Sequence, residues 1–266
     1  MKRIILLLCC LSVSVIAPVT NAHAASAYRV AFVADNDILS VRSGPGVEFD
    51  EVGQLPYNAS DVVVTGAAQS ASDGGTWVPV QWNAISGWVN RYFLTEQVDG
   101  DQFCGDLYAY SQVFNLLSAV RGRVGEAFGM MTGSSRGLLL RRHRWDTEVR
   151  LMPAEVTQMF SDATVRDWGV GQGSGEPIRG TFAEVMLPLL DRDMLSASRI
   201  ACNVLLGGGT TGLLTLPAEY QQLNFISVYR PGVSGDELNW GSWAIGIEYW
   251  DGIPVIAFLV HYEWEI

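Results

Sequence analysis

Beyond its first two dozen residues, this 266-residue chain has no long hydrophobic run. The longest, Ile253 to Val260, has eight residues, against the roughly 18 or more that a membrane-spanning helix requires. Positive charge is also scarce, with 17 Lys and Arg against 28 Asp and Glu. An acidic chain of this kind lacks the basic face that phosphate backbones require, so nucleic acid is excluded as a partner. Histidine and cysteine number only three and four. They are scattered rather than set at the close intervals of zinc ligands, so no metal and no cofactor is expected. No repeat or low-complexity tract is visible, and no single pair of carboxylates stands out by its spacing.

What is present begins with an export signal. Lys2 and Arg3 precede the apolar run Ile4 to Ile16, and Ala22-His23-Ala24 offers a small-x-small cleavage site, with Ala25-Ser26-Ala27 as a second choice. This pattern predicts a cleaved signal peptide over 1–24 and a periplasmic or secreted mature protein. Leu7 and Leu8 stand before Cys9 where a lipoprotein signal would have small residues. Cleavage removes two of the four cysteines and two of the 17 basic residues, leaving 15 basic against 28 acidic side chains. The roughly 240 remaining residues are enough for two domains with their own cores.

The first part of the mature chain reads as short strands. Leu39-Ser40-Val41-Arg42 alternates and runs into Ser43-Gly44-Pro45-Gly46, a turn in which glycine supplies unusual dihedrals and proline fixes φ. Val62-Val63-Val64, Trp77-Val78-Pro79-Val80 and Gly87-Trp88-Val89 follow, then Tyr92-Phe93-Leu94. These residues resemble the bacterial SH3 domain, whose core reads L-N-V-R-S-G-P-G, then G-x-W-x-x-V, G-W-V and Y-L. Ser40 replaces the usual Asn. The resemblance covers about 28–96 and implies a small all-β barrel. Such domains often bind cell-wall peptides, which makes Trp77, Trp88 and Tyr92 candidate ligand contacts; the alternative is that the tryptophans fill the barrel.

Residues 97–106, rich in Gly and Asp, break the strand pattern and read as a linker. From 107 to 266 the pattern is mixed. Leu107 to Val120 has helical spacing, Gly137 to Leu151 reads as an arginine-rich strand or hairpin, and Pro153 to Phe160 as a short helix with proline in its first turn. Thr181-Phe182-Ala183-Glu184 is a capping box opening a helix to about Leu190, with Pro188 ending or bending it. Strands are expected near 199–206 and 222–229. Trp240 to Trp250 and Ile253 to Ile266 flank Asp251-Gly252, a preferred hairpin turn. Helices followed by a mainly antiparallel sheet predict an α+β domain, by analogy a curved sheet wrapped on helices as in the nuclear-transport-factor-like cone.

Strict alternation through that hairpin puts Trp243, Ile245, Ile247, Ile256, Phe258, Val260, Tyr262 and Trp264 on one bulky face. Ser242, Ala244, Gly246 and Glu248 fall on the other, opposite Val255, Ala257, Leu259 and His261. The small-residue face has two readings: a ligand site with Glu248 and His261 as polar contacts, or a close-packing surface. The stretch from Asp167 to Ile178, with Trp168, Glu176 and four intervening glycines, lacks the Lys-Ser/Thr ending of a phosphate loop. It reads as a binding loop or a long connector. Gly173-Ser174-Gly175-Glu176-Pro177-Ile178, Asn239-Trp240 and Val260-His261-Tyr262-Glu263-Trp264-Glu265-Ile266 together resemble an uncharacterised bacterial envelope domain. That resemblance implies no activity.

Cys104 and Cys202 are the only cysteines of the mature chain, and an oxidising compartment predicts a disulfide between them. The competing reading makes Cys104 a thiol nucleophile. Phe103-Cys104-Gly105-Asp106-Leu107 faintly echoes the D-C-S-G-L signature of the NlpC-type cysteine–histidine peptidoglycan hydrolases. Neither His143 nor His261 has the strand context in which that family presents its histidine. The arginines at 136, 141, 142, 144 and 150 receive an anion or pair internally with carboxylates. The resulting expectation is an exported, non-catalytic envelope protein whose partner is the cell wall or an envelope protein.

Overall fold

The computed structural model describes residues 27–133, 136–209 and 212–265; the segment 1–24, expected to be a signal peptide, lies outside them. Strands outweigh helices, 37% against 22%, and the two occur in separate layers, as in α+β proteins.

The N-terminal sheet is antiparallel throughout, in the order Glu51–Pro56, Ile38–Arg42, Ile85–Asn90, Thr76–Trp82, Val63–Val64, with the short Gln69–Ser70 strand also paired to Thr76–Trp82. Its inward positions are aliphatic: Leu39, Val41, Leu55, Val78, Val80 and Val89 form one buried cluster with Val30 and Leu94. The last two come from the pair Tyr28–Val30 and Leu94–Glu96. Glu96 closes this unit onto the second, because its carboxylate accepts from the N–H groups of Asp251 (2.5 Å) and Gly252 (3.0 Å). Those are the turn residues of the C-terminal hairpin, held at positive φ as a two-residue turn requires.

The second sheet runs Val149–Leu151, Leu138–Arg141, Ile253–Glu263, Gly241–Trp250, Asn224–Arg230, Arg199–Cys202. Only the pairing of Leu138–Arg141 with Ile253–Glu263 is parallel. The helices Leu107–Gly122, Gly125–Met130, Pro153–Gln158 and Phe182–Leu189 contribute to the apolar core on one face, with Val113, Leu116, Phe128, Val156 and Met186 against Ile226, Trp243, Ile245 and Leu259. Asp106 fixes the first of these. One carboxylate oxygen caps the helix through the Tyr108 N–H, and the other accepts the Tyr249 hydroxyl at 2.6 Å. Thr181 and Glu184 form the expected capping box. At Pro188 the helix does not simply stop: it widens into a π-helical turn, Leu190–Met194, that carries Asp193 inward.

Both faces of this sheet are covered. On the far side Phe32 of the N-terminal unit packs with Tyr220, Trp240, Phe258 and Tyr262, joined by Tyr92 and Phe93. The two long strands are therefore buried along nearly their whole length, which explains their continuous apolar character.

Three expectations are corrected. The 97–106 segment is not an extended linker; Gly100–Cys104 is helical and Phe103 is fully buried. The glycine-rich 167–178 stretch is a β-hairpin, Arg166–Val170 with Pro177–Gly180, with Trp168 buried and its indole N–H on the Gly180 carbonyl at 2.9 Å. The third concerns register. Gly246 pairs with Phe258 but Ile247 pairs with Ile256, so Ala257 is a bulge. One extra residue reverses the parity of everything beyond it. Phe258, Val260 and Tyr262 join Ala244 and Gly246 on the far face, while Leu259 and His261 turn to the helix side. The Phe258 ring lies over Gly246, where a Cβ would stand 2.0 Å from it. Phe258 in turn stacks on Tyr220 with ring centroids 4.4 Å apart. The small residues there are a close-packing surface.

The disulfide is present. Cys104–Cys202 joins helix Gly100–Cys104 to the edge strand Arg199–Cys202. A closed loop of about 100 residues is worth up to roughly 4–5 kcal/mol in the chain-entropy account.

Candidate binding grooves at the junction of the two sheets

In the N-terminal sheet, alternation separates two sets of residues. Val78 and Val89, paired across Thr76–Trp82 and Ile85–Asn90, face the core. Trp77 with Asn90 and Pro79 with Trp88 are the neighbouring pairs, so these four side chains share the opposite face. Neither tryptophan belongs to the buried aliphatic cluster. Trp77 is nonetheless buried, covered by the loop that pairs Gln69 with it, and its indole N–H points to the Asp73 carboxylate at 3.2 Å. Trp88 is half-buried and lines a groove of about 590 Å³ with Ser43, Val52, Thr65, Pro79 and Gly87. Exposed Val47, Phe49 and Val52 also mark the outer surface of this sheet.

Tyr92 occupies a different place. It lies in the 3-10 turn Arg91–Phe93, which Asn90 caps by accepting the Tyr92 N–H at 2.9 Å. Tyr92 and Phe93 form part of the wall of two grooves. One, about 370 Å³, is closed by Phe32, Asp37, Ile38, Arg141, Glu148, Glu219 and Tyr220. The other, about 520 Å³, is closed by Asp73, Gly75, Thr76, Asn90, Arg91, Arg150 and Trp250. Burial raises the Tyr92 pKa, with Arg136 opposing.

The junction beneath Tyr92 is built around Arg136. Its guanidinium is fully buried, pairs with Glu248 at 3.1 Å, donates to the carbonyls of Tyr92 and Leu94, and lies 3.7 Å from the Phe32 ring centroid. Phe32 itself has φ 61°, the left-handed region that a bulky residue enters only at a cost of about 1–2 kcal/mol. That backbone twist is what delivers the ring onto Arg136 and edge-on to Tyr220. In the smaller groove Tyr220 donates to Glu148, and Arg141 bridges Glu148 and Glu219. Burial drives the Tyr220 pKa well up, reinforced by Glu148. These acids are engaged in pairing.

The second-domain residues singled out from sequence do not meet in one site. Trp168 is a core residue and Glu176 is exposed on the hairpin. Glu248 faces the junction and His261 faces the helices, separated by the sheet because of the Ala257 bulge. The His261 ring lies tilted against Trp243, centroids 4.8 Å apart, with Nε2 2.7 Å from Asp193 and Nδ1 3.2 Å from the Arg142 carbonyl. Burial alone would raise the Asp193 pKa, but hydrogen bonds from His261, Arg192 and Arg230 outweigh it and hold the carboxyl well below the usual range. Both ring nitrogens of His261 lie within hydrogen-bond distance of an oxygen of this buried cluster. Gly241 permits this cluster, because a Cβ there would stand 2.1 Å from the Asp193 carboxyl carbon.

Of the arginine cluster, Arg136, Arg141, Arg142 and Arg144 pair with Glu248, Glu219, Asp146 and Glu265 respectively, and Arg150 donates to the Arg136 carbonyl. Internal pairing accounts for these side chains. Among the described residues no group of three His, Cys, Asp or Glu is placed to hold a metal ion, and no helix is long and apolar enough to cross a membrane. No family model, curated protein or solved structure matches this chain.

Sequence reasoning named Arg150 only as one of five arginines that receive an anion or pair internally, and missed Phe32, Arg91 and Trp250 as groove residues. No local signal marks them, since they meet only when the two sheets dock. Arg91 alone had a hint, lying beside Tyr92 in the motif.

Proposed function

We propose that this is an exported, non-catalytic cell-envelope protein. Its N-terminal unit, 28–96, acts as an SH3-like module of the bacterial type, binding cell-wall peptide or targeting the chain to the envelope. The observation that carries this is the outward row Trp88, Pro79, Trp77 and Asn90, on the face of the sheet opposite its aliphatic core. A row with a half-exposed tryptophan in a groove is a surface suited to extended peptide. The six-stranded sheet of 107–266, with helices on one face, supports the cone-like reading of the second unit, which would serve as the rigid body against which the first is fixed.

The disulfide supports export, since such bonds persist in oxidising compartments. It also weighs against the cysteine–histidine hydrolase reading, because the Cys104 sulfur is bonded to Cys202 and is not a thiolate nucleophile. The test is cosedimentation of the mature protein with purified peptidoglycan sacculi. Retention in the pellet, without release of soluble wall fragments, is the expected result; a protein that stays in the supernatant contradicts the binding role.

A further inference from the structure

We propose that the groove between the two sheets, lined by Asn90, Arg91, Tyr92, Arg150 and Trp250, takes a short peptide bearing a free carboxylate. The inference deepens the envelope-binding reading and rests on it for the kind of peptide chosen. It adds a composite site that neither sheet forms alone.

Arg91 carries the argument. Its guanidinium is sandwiched between the Trp250 ring at 4.2 Å and the Tyr28 ring at 4.9 Å, and one of its N–H groups is held by the Leu94 carbonyl at 2.7 Å. Among the described residues no carboxylate lies within 4.0 Å of it, although acids greatly outnumber bases in this chain. Burial lowers its pKa and Arg136 adds to the lowering, while Tyr28, Glu248 and Glu96 oppose it; the two carboxylates act from beyond ion-pair distance. Arg136, with a similar aromatic setting, is paired with Glu248; the contrast marks Arg91 as the cation left for a ligand.

The rest of the groove fits. Arg150 also lines the wall, its Nε donating to the Arg136 carbonyl and its guanidinium 5.1 Å from the Tyr92 ring centroid. Asp73 is the acid on that wall, and its carboxylate is already engaged by the Trp77 indole N–H and the Gly75 N–H. Tyr92 and Trp250 add aromatic surface to the groove. Ala68, at the rim, precedes the Gln69–Ser70 strand, whose one strand partner is Thr76–Trp82, so the bordering backbone keeps an edge for an extended peptide. A volume of about 520 Å³ suits two or three residues.

The experiment titrates the mature protein with N-acetyl-D-alanyl-D-alanine, its C-terminal amide and N-acetylmuramic acid, following amide and indole NMR signals. The acid dipeptide is expected to shift the signals of Asn90, Arg91 and Trp250, and the amide to bind at least tenfold more weakly. Asn90→Asp keeps the oxygen that caps Tyr92 and adds one negative charge; Ala68→Glu adds one at the exposed rim. Each should weaken the acid dipeptide about tenfold, while Ala68→Lys tightens it, all with unchanged melting temperatures. Equal binding of acid and amide, or binding of neither, overturns the proposal. Binding of muramic acid in place of the dipeptide overturns the peptide assignment. Retention on sacculi with no response in this groove leaves the envelope reading standing and removes the groove.

Discussion

Arg136 and Glu248, 112 residues apart in sequence, form an ion pair from which water is wholly excluded, with both side chains at 0% exposure. The arginine also donates to the N-terminal unit at Tyr92 and Leu94. Removing one partner leaves a buried charge unpaired, which typically costs about 3–5 kcal/mol, whereas removing both with apolar residues costs far less. Glu248→Leu and Arg136→Met should each lower the urea midpoint strongly. The double replacement Arg136→Met with Glu248→Leu should recover much of the loss. Additive losses in the double variant would show that the pair is not a coupled unit.

The Ala257 bulge makes Gly246 a position of close approach under the Phe258 ring. Gly246→Val should destabilise by about 1–3 kcal/mol through overpacking, measured by thermal and urea unfolding. Gly241→Ala should do likewise by pushing Asp193 off His261. A neutral result at Gly246 would mean that the register has no bulge.

His143 gives the pH dependence a definite sign. Burial lowers its pKa, with Glu265 opposing and His261 and Arg142 adding to the lowering. A histidine whose folded pKa lies below its unfolded value binds fewer protons when folded. Its contribution is therefore complete above about pH 6.5 and is lost as pH falls below that. Asp193, depressed by its three donors, adds a second loss only below the ordinary carboxylate range, near pH 4. Urea midpoints should fall from pH 7 to pH 5, and His143→Asn should flatten that slope. An unchanged slope would exclude His143 as its source.

Alkylation of the purified protein under native, non-reducing conditions should find no free thiol in Cys104 or Cys202. Cys104→Ser with Cys202→Ser should lose about 2–5 kcal/mol of stability. Two alkylatable cysteines in the native protein would contradict the bridge.

Much of the local structure is legible in the chain. The Thr181 capping box, the Leu107 helix and the Asp251-Gly252 turn each follow from chemistry within a few residues, and the disulfide follows from having two cysteines left to pair. Illegible features arise where one residue or one distant partner decides. Alternation cannot reveal a bulge at Ala257, and that single insertion sends His261 and Glu248 to opposite faces. The positive φ of Phe32 is set by docking onto Arg136, and no turn residue announces it. The aromatic row of Trp77 and Trp88 is visible as a motif. Its orientation away from the aliphatic core emerges only from strand pairing, and Trp77's burial only from the loop that folds over it.

We propose that the outer face of the N-terminal sheet anchors this protein to the cell wall. It is tested most directly by cosedimentation of full-length mature protein with peptidoglycan sacculi, comparing wild type with Trp88→Ala. Trp88 lies outside the aliphatic core, so the variant should keep its melting temperature within a few degrees. Its apparent affinity should fall about tenfold or more, the loss expected for one aromatic anchor of about 1.5–2 kcal/mol. Equal retention of a folded Trp88→Ala protein would contradict the account.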